Sequence, residues 1–278
     1  MSRSALLLLL LTACSDRPRA SQVRDGSISQ RLLVAARGLA AGREASEAQA
    51  TEELERLATT VRAELDDHAL EPPIEVVDRI VFGRQRFSRE VDDSALEFVL
   101  LPSVLQTRRG SCVGLGTLYL ALGDLLGIPM RGILLPGHFF VRAWDGSRWR
   151  NVELLRGGEE HSSEWYGARW PVPPTTKSVY DRALTDDEVL AVVEYDIGNE
   201  LRRRGRVPES RRAFERAVAH FPSFPEAEAS LGAMMQLSGD LDAAARAYNL
   251  ARQISPQLAG LDRNIRLLES ERVSTSAW

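Results

Sequence analysis

Lysine and cysteine are scarce in this sequence, and their scarcity restricts the chemistry that the chain can carry. Among 35 basic residues only Lys177 is a lysine, so catalysis through a Schiff base has one candidate, in a loop rich in proline and threonine. The cysteines are Cys14 and Cys112. If Cys14 is modified at its sulfur, Cys112 has no partner within its own chain, and an unpaired thiol in an oxidising compartment requires a reason.

The sequence also lacks the signatures of metal, nucleotide and nucleic-acid binding. His68, His161 and His220 show no metal-ligand spacing, and neither an H-E-x-x-H nor a C-x-x-C motif is present, so we predict no metal and no cofactor. No glycine-rich phosphate loop follows a predicted strand. The net charge of -4 argues against a protein that holds nucleic acid through phosphate contacts.

What remains is the composition of an ordinary globular protein. Hydrophobic residues make up 44% of the chain and charged residues 27%, which excludes a disordered or fibrous protein. A length of 278 residues predicts about two domains.

The first residues read as a secretion signal. Arg3 precedes an apolar run over residues 5–11, which is too short to span a bilayer but suits a signal peptide. The run ends in Leu11-Thr-Ala-Cys14, which resembles a bacterial lipobox. That resemblance implies a signal peptide over residues 1–14, lipidation of Cys14, and an anchor in the bacterial envelope, with Ser15 favouring the outer membrane facing the periplasm. The alternative is an uncleaved N-terminus in which Cys14 is buried.

Residues 15–27 lack apolar periodicity and predict a flexible tether. Apolar spacing then predicts two helices over residues 28–65, broken near Gly42, and further helices over residues 74–82 and 94–105. We therefore expect a helical N-terminal part ahead of the chemistry-bearing residues.

Cys112 is predicted to lie in the first turn of a helix. Ser111 is a suitable N-cap, and the apolar face ends at Gly127, a suitable C-cap. The unsatisfied N–H groups and the dipole of a helix N-terminus favour a thiolate, the reactive form of cysteine. We expect Arg108 and Arg109 to add to this positive field.

A β-hairpin is predicted to follow, with strands over residues 138–144 and 147–155. A two-residue Asp145-Gly146 turn places His138 directly opposite Glu153, whereas a four-residue loop makes Glu153 a diagonal neighbour about 7 Å away. In either register the carboxylate can hydrogen-bond one ring nitrogen of His138 and fix its tautomer.

Each of these side chains has other interpretations. Asn151 lies on the same strand face as Glu153 and is the second candidate for orienting His138. Cys112 could be a buried small hydrophobe, His138 a core histidine bonded to a backbone carbonyl, and Glu153 an exposed strand residue.

The order and spacing of these residues resemble the transglutaminase-like superfamily, most closely its bacterial SirB-type branch. The segments that carry the resemblance are Arg109-Gly-Ser-Cys112-Val-Gly-Leu-Gly-Thr-Leu-Tyr-Leu120, Leu126-Gly-Ile-Pro129, Pro136-Gly-His138-Phe-Phe-Val-Arg142, Asn151-Val-Glu153 and Gly157-Gly158. The similarity extends from about Thr51 to Tyr166.

The resemblance implies an α+β, papain-like fold over residues 28–180 and acyl transfer by a catalytic triad. Cys112 would be the nucleophile, His138 the base and Glu153 the orienting acid, where the wider superfamily commonly has Asp. Gln106 is a candidate oxyanion donor, with the backbone N–H of Cys112 as the alternative. The substrate would be a protein or peptide, with hydrolysis favoured over crosslinking.

After a loop rich in tryptophan and proline, the chain repeats with a period of 34 residues. The matching pairs are Ile197 and Leu231, Gly205 and Gly239, Ala213 and Ala247, Phe214 and Tyr248, Ala217 and Ala251, and Pro222 and Pro256. This pattern resembles tetratricopeptide repeats and predicts an all-α region over residues 185–272, capped by a helix over residues 260–269.

The repeats offer a surface for a protein partner. Arginines are frequent between residues 202 and 216, and these could bind an acidic partner or form a solvated helix face, which we favour. We expect a deletion of the residues after about Asp196 to expose apolar surface on the rest of the protein but to leave the hairpin site intact. The alternative to an enzyme is a lipid-anchored adaptor whose transglutaminase-like fold has lost turnover.

Overall fold

The computed structural model describes residues 23–35, 37, 46–90, 95–176 and 178–276. The predicted signal peptide with Cys14, the first part of the predicted tether, the break near Gly42, and Lys177 lie outside the described residues. The described part is a mixed α+β fold with a small antiparallel sheet, and its C-terminal region is mostly helical.

The N-terminal part is helical, as the apolar spacing predicts. Its helices are α1 (Ile28–Val34), α2 (Glu47–Asp67), α3 (Pro73–Asp78), which continues as a π-helical segment over Arg79–Arg84, and α4 (Leu101–Thr107). The prediction of one helix over residues 94–105 is wrong, because a 3-10 turn over Leu96–Phe98 precedes α4. Pro102 lies in the first turn of α4, where its missing N–H is harmless, whereas inside a longer helix it would break the hydrogen-bond ladder.

Helix α5 (Cys112–Leu126) lies at the centre of the fold. Its N-cap is Ser111, whose Oγ accepts a hydrogen bond from the N–H of Gly114 at 3.1 Å, and Gly127 ends it at a φ of 70°. All residues of α5 except Cys112 and Asp124 are buried. Only a helix surrounded by other elements is buried on every face, so α5 is the core helix of this fold.

The sheet packs against α5, and its four antiparallel strands pair in chain order. Its strands are β3 (Met130–Leu135), β4 (His138–Trp144), β5 (Trp149–Glu153) and β6 (Glu159–Glu160), followed by α6 (Ser163–Arg169). A separate parallel pair joins β1 (Ser88–Arg89) to β2 (Arg109–Gly110).

The hairpin between β4 and β5 has the four-residue loop. Trp144 lies opposite Trp149, so the register with a two-residue turn, in which Trp144 faces Ser147, is wrong. Asp145 closes the longer loop, because its carboxylate accepts hydrogen bonds at 2.8 Å from the N–H groups of Ser147 and Arg148. Glu153 is therefore a diagonal neighbour of His138.

Five further helices follow α6 in the described part of the chain: α7 (Asp186–Arg203), α8 (Val207–His220), α9 (Pro225–Leu237), α10 (Leu241–Ile254) and α11 (Leu261–Ser276). The 34-residue period extends to their packing. A Cβ atom on Gly198 would come within 2.6 Å of Phe214, and one on Gly232 within 2.8 Å of Tyr248. Each glycine thus admits an aromatic ring from the next helix, and the two helix pairs pack in the same way.

The hydrophobic core does not stop at the sheet. Buried residues of α7 and α8, including Ile197 and Ala213, belong to the same cluster as those of α5 and β4. Helices α9 to α11 enclose a smaller cluster around Tyr248 and Leu261. No described helix has the length and apolar character needed to cross a membrane.

Candidate active site

Cys112 is the first residue of α5 and is half-buried. The Ser111 side chain caps the helix, and the Ser111 N–H donates to the carbonyl of Phe98 at 2.8 Å, which fixes the backbone just ahead of the thiol. The sulfur therefore sits at the positive end of a fifteen-residue helix, where a thiolate is stabilised.

His138 and Glu153 form a buried hydrogen-bonded pair. The Nε2 atom of His138 lies 2.8 Å from Oε2 of Glu153, and the two residues are 4% and 1% exposed. The other carboxylate oxygen of Glu153 accepts a hydrogen bond from the N–H of Leu155 at 3.0 Å. An ionised carboxylate only accepts hydrogen bonds, so it selects the tautomer with the proton on Nε2 and leaves Nδ1 as the basic nitrogen.

Aromatic rings cover this pair. The Trp170 ring stacks on the His138 ring with centroids 3.8 Å apart and an interplanar angle of 8°. The Tyr166 ring stacks on Phe140 at 4.0 Å, and burial, followed by the negative charge of Glu153, raises the pKa of Tyr166. Rings on these sides keep water from competing for the hydrogen bond between His138 and Glu153.

A cavity of about 430 Å³ brings Cys112 and His138 to a common space. Its opposite wall comes from α7, through Tyr195, Asn199 and Arg202 among others, and from Phe224 and Glu226 at the start of α9. A deletion after about Asp196 would therefore remove part of this wall and expose the core that α7 and α8 cover, whereas Cys112, His138 and Glu153 all precede the deleted part.

Two of the predicted site residues lie elsewhere. Gln106 is exposed on α4 and lines a separate hollow against α2, so the structure does not bring it to the cavity of Cys112. The amide of Asn151 accepts a hydrogen bond from Nε of Arg142 at 2.7 Å and donates one to the carbonyl of His161 at 3.1 Å. These partners hold Asn151 in a role other than orienting His138.

The expected contribution of two arginines to the field at Cys112 is also corrected. Arg108 forms an ion pair with Glu53, and Arg109 forms one with Glu90. Neither arginine lines the cavity, and the positive charge of each is offset by a carboxylate from another part of the chain.

Sequence reasoning missed the acidic side chain that lines the cavity at the start of α9. Glu226 lies in the first turn of that helix, where an acidic residue is an ordinary stabilising feature. The hydroxyl of Tyr180 donates a hydrogen bond to Oε1 of Glu226 at 2.5 Å. Only the packing of α7 to α9 on the sheet domain brings Glu226 to the cavity.

The site places a thiol and a carboxylate-bonded imidazole at one cavity. No group of three or more metal-ligating side chains occurs among the residues that the structure describes. The available chemistry is that of a thiol paired with a carboxylate-oriented imidazole, which is the arrangement used for acyl transfer.

Comparison with known families agrees with this geometry. The family model of the transglutaminase-like superfamily matches residues 48–169, a segment that begins in α2 and ends with α6. No curated protein matches the chain. The superfamily consists generally of cysteine-dependent enzymes, and the matched segment includes Cys112, His138 and Glu153. Residues 48–169 are therefore a domain of the transglutaminase-like superfamily.

Proposed function

We propose that this protein is a thiol-dependent acyl-transfer enzyme of the SirB-type branch, acting on amide or ester bonds of a protein or peptide. The observation that carries the proposal is the buried hydrogen bond between His138 and Glu153 at a cavity that also contains Cys112. A purely structural histidine needs neither a buried carboxylate partner nor a shared cavity with a cysteine at a helix N-terminus.

In the proposed reaction, His138 Nδ1 takes the thiol proton and the Cys112 thiolate attacks the substrate carbonyl carbon. The backbone N–H of Cys112 donates to the developing oxyanion. Collapse of the tetrahedral intermediate breaks the carbon–nitrogen bond, and the imidazolium returns its proton to the leaving amine. Water, activated by the same imidazole, then hydrolyses the thioester. We favour hydrolysis over crosslinking because the chain offers one lysine, Lys177, for self-crosslinking.

Stoichiometric acylation of the thiol tests this proposal. The full chain carrying Cys14→Ser has Cys112 as its only thiol, and it is incubated with p-nitrophenyl acetate at pH 7.5. We expect one acetyl group on Cys112 by peptide mass spectrometry, formed with a burst of nitrophenolate and at least about tenfold more slowly in His138→Ala. If Cys112 is not acetylated in the folded protein but is fully acetylated after unfolding, the proposed enzymatic function is contradicted.

The second candidate function is an adaptor, and exposed apolar residues favour it. Helices α9 to α11 expose the side chains of Leu237, Leu250, Leu267 and Val273 to solvent. Apolar side chains of this size on a helical repeat suit a protein partner. In this function the repeats, of the tetratricopeptide type, recruit the partner, and the cavity has no turnover.

For the location we propose lipidation of Cys14 and anchoring to the outer membrane, facing the periplasm. The lipobox-like Leu11-Thr-Ala-Cys14 supports this proposal because it supplies both a cleavage site and the acylated thiol. Cys14→Ser should yield soluble or uncleaved protein in cell fractionation. A variant that stays with membranes and is still cleaved before residue 14 would contradict it.

A further inference from the structure

One carboxylate at the candidate site lacks a partner that its burial calls for. Oε1 of Glu226 accepts the Tyr180 hydrogen bond, but Oε2 is buried and has no hydrogen-bond partner among the described residues. No described basic side chain forms an ion pair with Glu226 either. By contrast, the buried carboxylates of Glu194 and Glu200 are paired with arginines.

Such an orphaned oxygen is costly unless a ligand supplies the missing donor. A buried acceptor without a hydrogen bond costs about 1–3 kcal/mol, and more if it is charged. Burial raises the pKa of Glu226, which reflects this cost. Stabilisation of the N-terminus of α9 does not explain why the Glu226 carboxylate is buried. An exposed carboxylate in the first turn would stabilise the helix without being desolvated.

Glu226 shares the cavity with a second acidic side chain. Asp196 on α7 lines the same space, as does Tyr195 beside it. Burial, and then the charges of Glu226 and Asp196, raise the pKa of Tyr195. Arg202 and Arg203 also line the cavity, six and seven residues after Asp196 on α7, and Arg203 forms an ion pair with Glu200.

We propose that Glu226, together with Asp196, binds an alkylammonium group of the substrate in this cavity. An ammonium group supplies up to three donors and a compensating charge, which is what a buried carboxylate oxygen lacks. The substrate of the Cys112 site would accordingly be a peptide with a lysine side chain or a free α-amino group near the reacting carbonyl. This substrate class rests on the proposed acyl-transfer function, but ammonium binding can be measured without turnover.

The binding test uses the full chain with Cys14→Ser and Cys112→Ser, so that no thiol contributes. Three probes at pH 7, where both amino groups are mostly protonated, separate the sources of the ammonium group: Nα-acetyl-lysine methylamide, norleucine methylamide and Nα-acetyl-norleucine methylamide. Isothermal titration should show binding of at least one of the two cationic probes at least about fivefold tighter than of the neutral one. The cationic probe that binds identifies the side chain or the α-amino group as the source.

Glu226→Gln keeps an acceptor for Tyr180 and removes the charge, and it should abolish the preference for the cationic probe. Glu228→Gln is the matched control, since Glu228 is a buried acid in the same helix that does not line the cavity. Equal affinity for cationic and neutral probes, or a preference that survives in Glu226→Gln, overturns the proposal.

A kinetic test separates this inference from the proposed function. In the Cys14→Ser chain, Cys112 is modified by methanethiosulfonates whose substituent is aminoethyl, methyl or sulfonatoethyl. Glu226→Gln should lower the ratio of the aminoethyl to the methyl rate at least about fivefold, whereas the control Glu228→Gln should leave that ratio unchanged. If the methyl reagent does not modify Cys112, the result contradicts the acyl-transfer function alone. If the ratio of the aminoethyl to the methyl rate is the same in Glu226→Gln as in its parent, the result contradicts the ammonium site alone.

Discussion

Gly116 of α5 lies directly against the ring of Phe139 in β4. A Cβ atom on Gly116 would come within 2.4 Å of Cε1 of Phe139, and one on Gly132 would come within 2.6 Å of Cζ of the same ring. Phe139 is therefore held between two glycines. Because Gly116 is one helical turn beyond Cys112 and Phe139 follows His138, this contact sets the distance between the helix and the strand that carry the thiol and the imidazole.

Gly116→Ala should therefore disturb the site as well as the core. The added methyl group must displace Phe139, and overpacking of this kind costs about 1–3 kcal/mol of unfolding free energy. We expect a lower urea midpoint and slower alkylation of Cys112 in the protein that remains folded. Gly167→Ala is the control, because no atom lies within 4 Å of a Cβ atom placed there. An unchanged midpoint in Gly116→Ala would show that Phe139 can move without cost.

Trp170→Ala tests whether the stacked ring protects the imidazole. Removing the ring opens one face of His138 to water, which then competes with Glu153 for the imidazole. We expect alkylation of Cys112 by iodoacetamide at pH 7 to slow by about threefold to tenfold, with little change in far-UV circular dichroism.

Trp149→Ala is the matched control for the loss of an indole ring. Trp149 packs against Trp144 and Arg131 in the same sheet, away from the cavity of Cys112. Equal slowing in both variants would assign the effect to general loosening of the sheet.

Asp78 should make the stability of the fold depend on pH. Its Oδ1 accepts a 2.5 Å hydrogen bond from the hydroxyl of Tyr119, and burial raises the pKa of Asp78 to about 7. An unfolded Asp titrates at about 3.9, so the protonated form favours folding, and this contribution is lost as the pH rises from about 4 to about 7.

Asp78→Asn removes this titration while keeping an acceptor for Tyr119. Relative to the parent, the variant should gain unfolding free energy between pH 4 and pH 8, by up to about 4 kcal/mol at about 1.4 kcal/mol per pKa unit. Urea denaturation at several pH values measures the difference. Asp181→Asn, at an exposed position, should show no such gain. A flat difference between Asp78→Asn and the parent would mean that Asp78 is ionised in the folded protein at all these pH values.

The local features of the site could be predicted from the sequence. The N-cap Ser111, the C-cap Gly127 and the alternation of β4 are local signals, and they correctly gave the start and end of α5 and the strand of His138. The hairpin register was ambiguous because Asp145-Gly146 suits both a two-residue turn and a longer loop. The side chain of Asp145 decides it by capping the loop.

The long-range features could not be predicted. Arg108 precedes Cys112 by four residues, yet its ion-pair partner is Glu53 in α2. No local sequence pattern predicts that ion pair. Glu226 lines the cavity only because α7 packs in the same hydrophobic core as α5 and α9 follows it in the helical region. The position of Gln106 also depends on long-range packing. It is near Cys112 in sequence, but the packing of α4 places it in a different hollow.

The pH profile of Cys112 alkylation tests whether His138 activates this thiol. Iodoacetamide labelling is followed between pH 5 and pH 10 in the full chain with Cys14→Ser, and with His138→Ala, Glu153→Gln or Asn151→Ala added. We expect reaction of the folded protein with an inflection below the usual thiol pKa of about 8.5. At pH 7 the reaction should be at least about tenfold slower in His138→Ala, slower by a smaller factor in Glu153→Gln, and unchanged in Asn151→Ala. Activation of Cys112 by His138 would be contradicted if the thiol reacts only in denaturant, or if its pH profile is the same in His138→Ala as in the parent.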